Sequence, residues 1–115
     1  MGVRRIVPNL GVADLDSSRD FYTTLLGLDV VMDLDWIVIV ASGSNPTAQI
    51  SLQRGDTADG PHLTIEVDDV DAVYEVAQSQ GADVVYPITD EPWRVRRFFV
   101  RDPAGFVVNV MAHVR

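Results

Sequence analysis

The sequence contains no cysteine. Disulfide bonds, thiolate metal ligands and a cysteine nucleophile are therefore excluded. It also has no apolar run that approaches the ~20 residues needed to span a bilayer. Its first residues, MGVRRIVPNL, lead into a strand-like segment rather than a long apolar signal core. We therefore expect a cytoplasmic protein that has no membrane partner.

Basic residues are few, with nine Lys and Arg against 17 Asp and Glu, which gives a formal net charge of −8. This charge repels the phosphate backbone, so nucleic acid is not an expected partner. It permits a cationic ligand, although acidity more often serves solubility. The length of 115 residues predicts one domain, over residues 1–115.

The sequence also contains an internal repeat. The segment LGVADL at 10–15 is matched 55 residues later by IEVDDV at 65–70. The segment GLDVV at 27–31 is matched 54 residues later by GADVV at 81–85. A duplicated unit predicts two similar halves, with a site built from equivalent positions of both.

Each half of the chain has the pattern of a strand, a helix and three further strands. Module one, residues 4–53, has predicted strands at 4–12, 28–33, 36–42 and 47–53 and a helix at 16–26 that ends at Gly27. Module two, residues 61–113, has predicted strands at 62–67, 83–86, 95–101 and 106–112 and a helix that ends at Gly81. Residues 54–60, RGDTADG, have the composition of a linker between the modules.

Apolar and polar residues alternate along the predicted strands at 48–53 and 62–67, which distinguishes two faces of the sheet. The apolar face can hold the two helices. The opposite face carries mostly uncharged hydrogen-bonding groups, such as Asn9, Gln49 and Thr64. A solvated outer face is one explanation, but a concave ligand pocket accounts better for polar groups without charge. We therefore predict an α+β fold in which a curved mixed sheet surrounds a pocket and the helices cover its outer face.

Two long segments, VADLDSSRDFYTTLLGLDV at 12–30 and DEPWRVRRFFVRDPAGFVVNV at 90–110, resemble the vicinal oxygen chelate superfamily. This superfamily includes lactoylglutathione lyase (glyoxalase), extradiol dioxygenases and bleomycin-resistance proteins. The DPAG turn at 102–105 is the most specific local match. The resemblance covers essentially the whole chain and implies two tandem βαβββ modules. It does not imply one function, because this scaffold hosts lyases, epimerases, dioxygenases and non-catalytic drug binders.

The resemblance also implies where a metal would bind. In the metalloenzymes of the superfamily the ligands lie on the first and last strands of each module, and the matching positions here are Val7, Ser51, His62 and Asn109. Only His62 is a good ligand, because valine has no donor and neutral serine and asparagine are weak ones. Glu66 lies on the same strand face as His62, but it does not replace the metal ligands that are missing at the other positions. We expect no metal and no other cofactor, and a divalent metal bound by His62 is the alternative.

The tryptophans and a cluster of arginines complete the candidate site. Trp36 and Trp93 occupy similar places in the two modules, and they suit either stacking on a flat ligand or packing in a core or interface. Four arginines are expected to pair with aspartates or to hold an anionic end of a ligand: Arg94, Arg96, Arg97 and Arg101. The predicted ligand contacts are Asn9, Trp36, Gln49, Ser51, His62, Thr64, Glu66, Trp93 and Asn109.

The leading hypothesis is a metal-free, homodimeric small-molecule-binding protein that sequesters an aromatic or cationic compound in a pocket between the modules. The acidic residues that precede the tryptophans would suit a cationic ligand: Asp33, Asp35, Asp90 and Glu91. The alternative is a lyase, isomerase or dioxygenase-type enzyme of the same superfamily that uses His62 as metal ligand or base, or Glu66 as base. A third hypothesis is a partner-binding module whose sheet face contacts another chain.

Overall fold

The computed structural model describes residues 2–55 and 60–114, in which eight strands and two helices follow one another. In chain order they are β1 (Val3–Val12), α1 (Leu15–Leu26), β2 (Asp29–Asp33), β3 (Ile37–Ala41), β4 (Gln49–Arg54), β5 (Leu63–Val67), α2 (Val70–Ser79), β6 (Asp83–Glu91), β7 (Val95–Arg101) and β8 (Val107–His113). The predicted linker at 54–60 lies partly outside the described residues, which omit 56–59. Neither helix of the described chain is long and apolar enough to cross a membrane.

The eight strands form a mixed sheet of order β2-β3-β4-β1-β5-β8-β7-β6. In each module the first strand is parallel to the last strand, and the other pairs are antiparallel. The chain divides into two compact units, which we call the N-terminal unit (Val7–Gly60) and the C-terminal unit (Met1–Ile6 with Pro61–Arg115). The predicted α+β class and the two βαβββ modules are confirmed.

Local signals determine both ends of α1 in the N-terminal unit. Asp14 caps the helix and accepts a hydrogen bond from the backbone amide of Ser17 at 3.1 Å. Gly27 ends the helix in the left-handed conformation, with a φ of 67°. The buried core of this unit consists of Leu15, Val38, Val40 and Leu52. Leu52 belongs to the predicted apolar face of its strand, so that assignment is confirmed.

The C-terminal unit repeats this plan. Asp69 caps α2 and accepts a hydrogen bond from the backbone amide of Ala72 at 3.1 Å. The buried core of the unit consists of Val67, Val70, Phe98, Val110 and Ala112, with Ile65 packed against it. Because these strand residues alternate with polar ones, the sheet presents an apolar side to α2 and a polar side opposite it.

Strand β6 is longer than predicted, since it runs over Asp83–Glu91 instead of 83–86. Pro87, within this strand, has no backbone amide to donate to a neighbouring strand. However, β6 is the last strand in the sheet order, where a proline costs no ladder hydrogen bond on the open edge. The register with β7 also shifts between Tyr86 and Thr89, so the proline lies at an irregularity.

The DPAG turn at 102–105 joins β7 to β8. The Asp102 carboxylate accepts hydrogen bonds from the backbone amides of Ala104 and Phe106, both at 2.9 Å. Gly105 has a φ of 95°, a backbone conformation that residues with a Cβ atom rarely adopt. The motif therefore needs an acceptor at its first position and a glycine at its last.

Candidate functional site

The side of the sheet opposite the helices carries the polar residues, and we call it the open face. In the C-terminal unit, Ile65 and Val67 pack in the helix-facing core, so the alternation of β5 directs Thr64 and Glu66 to the open face. By the same alternation, β7 and β8 contribute Arg97, Phe99, Asn109, Met111 and His113. This face holds most of the sequence-predicted contacts of the unit.

Asn109 and Thr64 lie opposite each other where β8 and β5 pair. The Asn109 side-chain amide donates a hydrogen bond to Thr64 Oγ1 at 3.3 Å. Asn109 is only 8% exposed, and its Oδ1 atom has no hydrogen-bond partner in the described part of the chain. A buried acceptor without a partner costs about 1–3 kcal/mol. The open face therefore contains a buried acceptor whose hydrogen-bonding capacity no described residue uses.

Glu66 makes an ion pair that sequence reasoning missed. Arg5 Nε lies 2.6 Å from Glu66 Oε1, and His113 Nδ1 lies 2.9 Å from Glu66 Oε2. The sequence suggested Glu66 as a ligand contact or as a base and did not predict either of these partners. The parallel register of β5 and β8 explains the contact with His113. Glu66 lies opposite Met111, and His113 is two residues further along the same face of β8.

The environment of Glu66 makes its carboxylate a weak base. Burial acts to raise the pKa of the Glu66 carboxyl, but the hydrogen bond with His113 and the charge of Arg5 outweigh burial and lower the pKa. A general base works best when its pKa lies near the working pH. Glu66 is therefore poorly suited to abstract a proton.

His62 is held by the backbone next to it. Its amide donates to the Val107 carbonyl at 2.8 Å, and its Nδ1 atom accepts the Val107 amide at 3.1 Å. The ring also packs edge to face against Phe106, with ring centres 5.2 Å apart. Since Nδ1 accepts a hydrogen bond, neutral His62 carries its proton on Nε2. This tautomer suits a hydrogen-bond donor to a ligand.

Arg97 is surrounded by aromatic rings. Its guanidinium carbon lies 4.8 Å from the ring centre of Phe99, 5.2 Å from that of Trp93 and 5.7 Å from that of Tyr86. Arg97 Nε also binds a carboxylate oxygen of Glu91 at 2.6 Å, and the Tyr86 hydroxyl donates to the same carboxylate. The sequence predicted an aspartate as the partner of Arg97, whereas the observed partner is a glutamate, and it did not predict the aromatic surroundings. The sequence did contain a signal for the contact with Phe99, because residues 97 and 99 are two positions apart on β7 and therefore lie on the same face of the sheet.

The N-terminal unit brings together a second set of predicted contacts. Asn9 and Ser51 lie opposite each other in the parallel pair of β1 and β4, and both are buried. The Gln53 side chain donates to Ser51 Oγ at 3.2 Å, and the Gln49 side chain donates to the Pro46 carbonyl at 2.9 Å. These groups line the side of the sheet away from the core of the unit.

Both tryptophans lie outside the cores of their units. Trp36 precedes β3 in the N-terminal unit, and Trp93 lies between β6 and β7 in the C-terminal unit. Each is 57% exposed. Their exposure excludes packing in a core. Of the roles suggested by the sequence, stacking on a ligand and contact with another chain are left.

The residues at the metal-binding positions of the superfamily do not fit a divalent metal. Val7 has no donor, Ser51 already accepts a hydrogen bond from Gln53, and Asn109 offers one amide oxygen. A histidine that binds metal through one nitrogen usually donates a hydrogen bond from the other, but His62 accepts one there. The described residues contain no group of three or more His, Asp or Glu that could hold a metal ion.

Comparison with known proteins identifies relatives of this fold. The sequence model of the Glyoxalase/Bleomycin resistance protein/Dioxygenase superfamily matches residues 4–110. A superfamily member from Vibrio splendidus 12B01 is 19% identical, with a TM-score of 0.76 over 96% of this chain and 99% of that chain. Methylmalonyl-CoA epimerase from Mycobacterium tuberculosis is 24% identical, with a TM-score of 0.76 over 98% of this chain and 90% of that chain. At such identities the similarity concerns the fold alone. The search of curated proteins found no match.

Replacing Glu66 by glutamine should lower the free energy of unfolding at pH 7 by about 1–3 kcal/mol, because hydrogen bonds to a charged group are lost. The pKa of Glu66 is lower in the folded chain, so its stabilising contribution is present above the ordinary value of 4.5 and disappears as the pH falls through the folded pKa. The difference between wild type and Glu66→Gln should therefore shrink below pH 4.5. Urea unfolding at a series of pH values measures it.

The matched control is Glu75→Gln, which changes an exposed carboxylate on α2. It should alter stability little at any pH. A Glu66→Gln effect that stays constant across the acid range would contradict the assigned ion pair.

Proposed function

Because the chain belongs to the Glyoxalase/Bleomycin resistance protein/Dioxygenase superfamily, we propose that it binds a small molecule on the open face of its sheet without a catalytic metal. The observation that carries this proposal is the buried Oδ1 atom of Asn109, which lacks a hydrogen-bond partner in the described residues. Binding sites combine apolar walls with a few placed polar groups. The Asn109 oxygen is such a polar group, and the neighbouring Phe99 and Met111 supply apolar surface beside it.

The surroundings of the tryptophans support an aromatic ligand. Trp93 is largely exposed, and the nearby Arg97 guanidinium keeps its ring in place. Three of the four acidic residues that first suggested a cationic ligand are paired with arginines: Asp33 with Arg19, Asp90 with Arg96, and Glu91 with Arg97. A flat ring that stacks on an exposed indole therefore has the better structural support.

The state of the titratable groups supports binding over proton transfer. Glu66 has a lowered pKa and both carboxylate oxygens engaged. His62 has one ring nitrogen committed to the Val107 amide. An enzyme that uses either residue as a base would first have to break these contacts.

A panel of bleomycin, phenols, anilines and aromatic amides should contain compounds that quench or shift the tryptophan emission. Asn109→Leu should weaken their binding about tenfold, because one hydrogen bond of about 1–1.5 kcal/mol is removed. The same substitution should change stability little, since removing the unsatisfied buried oxygen offsets the loss of the hydrogen bond to Thr64. Fluorescence titration and urea unfolding provide the two measurements.

Asn45→Leu, in an exposed loop of the N-terminal unit, is the control and should change neither affinity nor emission. If no compound of the panel alters the tryptophan emission, the small-molecule-binding proposal is wrong.

Protein purified without chelators should contain far less than one equivalent of nickel, zinc, iron or manganese, because the donor set is poor. Elemental analysis of wild type and His62→Ala measures this content. A stoichiometric metal that disappears in His62→Ala would instead establish the metalloenzyme alternative.

A homodimer is part of the proposal, and the edge strand β2 supports it. All five residues of β2 are exposed, including Val30, Val31 and Met32. The strand is also the first in the sheet order, so one of its edges has no neighbour in the described chain. Exposed apolar edge strands favour association with another chain.

Val31→Lys should convert the dimer to a monomer, because a lysine on an edge strand opposes association. Sedimentation equilibrium gives the molar mass of both proteins. Val76→Lys, on the outer surface of α2, is the matched control and should stay dimeric. A wild-type protein that is monomeric at all concentrations tested would refute the dimer.

A further inference from the structure

Three aromatic side chains of the C-terminal unit surround the guanidinium of Arg97, and we call them the aromatic cluster: Tyr86, Trp93 and Phe99. The guanidinium carbon lies 4.8 to 5.7 Å from the three ring centres. Two of the rings also contact each other, since the centres of Tyr86 and Phe99 are 4.8 Å apart. Cation–π contacts of this kind restrict a long, otherwise mobile side chain. The cluster therefore holds the Arg97 guanidinium in place before a ligand binds.

A single carboxylate orients this guanidinium. Arg97 Nε lies 2.6 Å from Glu91 Oε2, and the Tyr86 hydroxyl donates to the same oxygen at 3.2 Å. The Glu91 side chain is only 10% exposed, so little water competes for this contact. The ion pair uses Nε, which is one of the three nitrogens of the guanidinium.

The other two nitrogens of Arg97, Nη1 and Nη2, donate no hydrogen bond to any residue that the structure describes. They are also accessible to solvent, because among the described residues that are not exposed, Asn109 Oδ1 is the one side-chain nitrogen or oxygen buried without a partner. The neighbouring Arg96 differs, since its three nitrogens bind Asp71 and Asp90. Arg97 therefore presents N–H donors of fixed geometry to an acceptor on a ligand.

The charges around Arg97 favour an acceptor that is neutral. Glu91 already balances Arg97, so the pair has no net charge. A ligand carboxylate would lose its hydration and would be repelled by Glu91 while Arg97 attracts it. A carbonyl oxygen accepts the same hydrogen bonds and costs much less to desolvate. The aromatic cluster supplies apolar surface beside these donors for the rest of the ligand.

We propose that Arg97 binds the carbonyl group of a neutral aromatic compound, such as an aromatic ketone or amide, whose ring packs against the aromatic cluster. This inference rests on the proposed small-molecule-binding function and adds the chemical class of the ligand. Arg97 binds the polar group of the ligand, and Glu91 excludes anions of similar shape.

Acetophenone, ethylbenzene and benzoate test the proposal, because they share a phenyl ring and similar size but carry a ketone, no polar group and a carboxylate. The backbone amide signals of Arg97 and Phe99 report binding in nitrogen-15 NMR titrations. We expect acetophenone to bind at least tenfold more tightly than either of the other compounds, because only its oxygen accepts a hydrogen bond from Arg97 without bringing a charge.

Arg97→Met should reduce acetophenone affinity at least tenfold and leave ethylbenzene affinity unchanged, because it removes the donors and keeps apolar volume. The single substitution leaves Glu91 unpaired, so the double variant Arg97→Met with Glu91→Gln guards against misfolding and should give the same result. Arg101→Met removes an arginine from the same face of β7 that pairs with Asp83, and as the matched control it should change neither affinity. Acetophenone affinity that is unchanged in both Arg97 variants would overturn the assignment.

Glu91→Gln tests the balancing charge separately. The glutamine oxygen still accepts the hydrogen bond from Arg97 Nε, but the positive charge of Arg97 is no longer compensated. Benzoate affinity should therefore rise at least tenfold, while acetophenone affinity should change little. Benzoate that binds no better to Glu91→Gln than to wild type would contradict the role given to Glu91.

The outcomes also separate this inference from the wider proposal. If ethylbenzene or benzoate binds to the wild-type protein as tightly as acetophenone, the inference is wrong while small-molecule binding stands. If none of the three compounds shifts the reporting signals, the inference is also wrong, and the fluorescence panel alone decides the wider proposal.

Discussion

In each module the first strand runs parallel to the last strand, and the register of this pair positions the polar residues of the open face. Parallel ladders have evenly spaced hydrogen bonds, so the register found at one pair continues along the strands. It places Thr64 opposite Asn109 and Asn9 opposite Ser51. The same ladder brings His113 to Glu66. The contacts of the candidate site depend on this pairing rather than on a local sequence motif.

Internal pairing of charges determines which chemistry the open face supports. Glu66 binds Arg5 and His113, which lower the pKa of its carboxyl and make it a weak proton acceptor, and Glu91 is paired with Arg97. The buried oxygen of Asn109 is different, because it lacks a partner in the described residues. These paired charges and this unsatisfied neutral acceptor are the observations on which the proposed binding function rests.

The two modules share a fold, but the side chains at equivalent positions differ in their chemistry. Val7 and His62 are 55 residues apart and occupy equivalent places, yet one has no polar atom and the other presents an imidazole. Asn9 and Thr64 are related by the same offset, and each faces a polar residue on the last strand of its module. Symmetry has therefore been kept where it serves strand pairing and lost where a metal would need matched ligands.

The sequence by itself determined the α+β class, the two modules, the glycine at the end of the first helix and the alternation of the strands, because these follow from neighbouring residues. The predicted strand at 83–86 was shorter than β6, and the edge position at which β6 tolerates Pro87 is not a local property of the sequence. Only the tertiary structure decided the partners of Glu66, the aromatic surroundings of Arg97 and the tautomer of His62. The Glu66 contacts join residues 47 and 61 positions apart. Such contacts depend on the register between distant strands, which the packing of the whole unit selects.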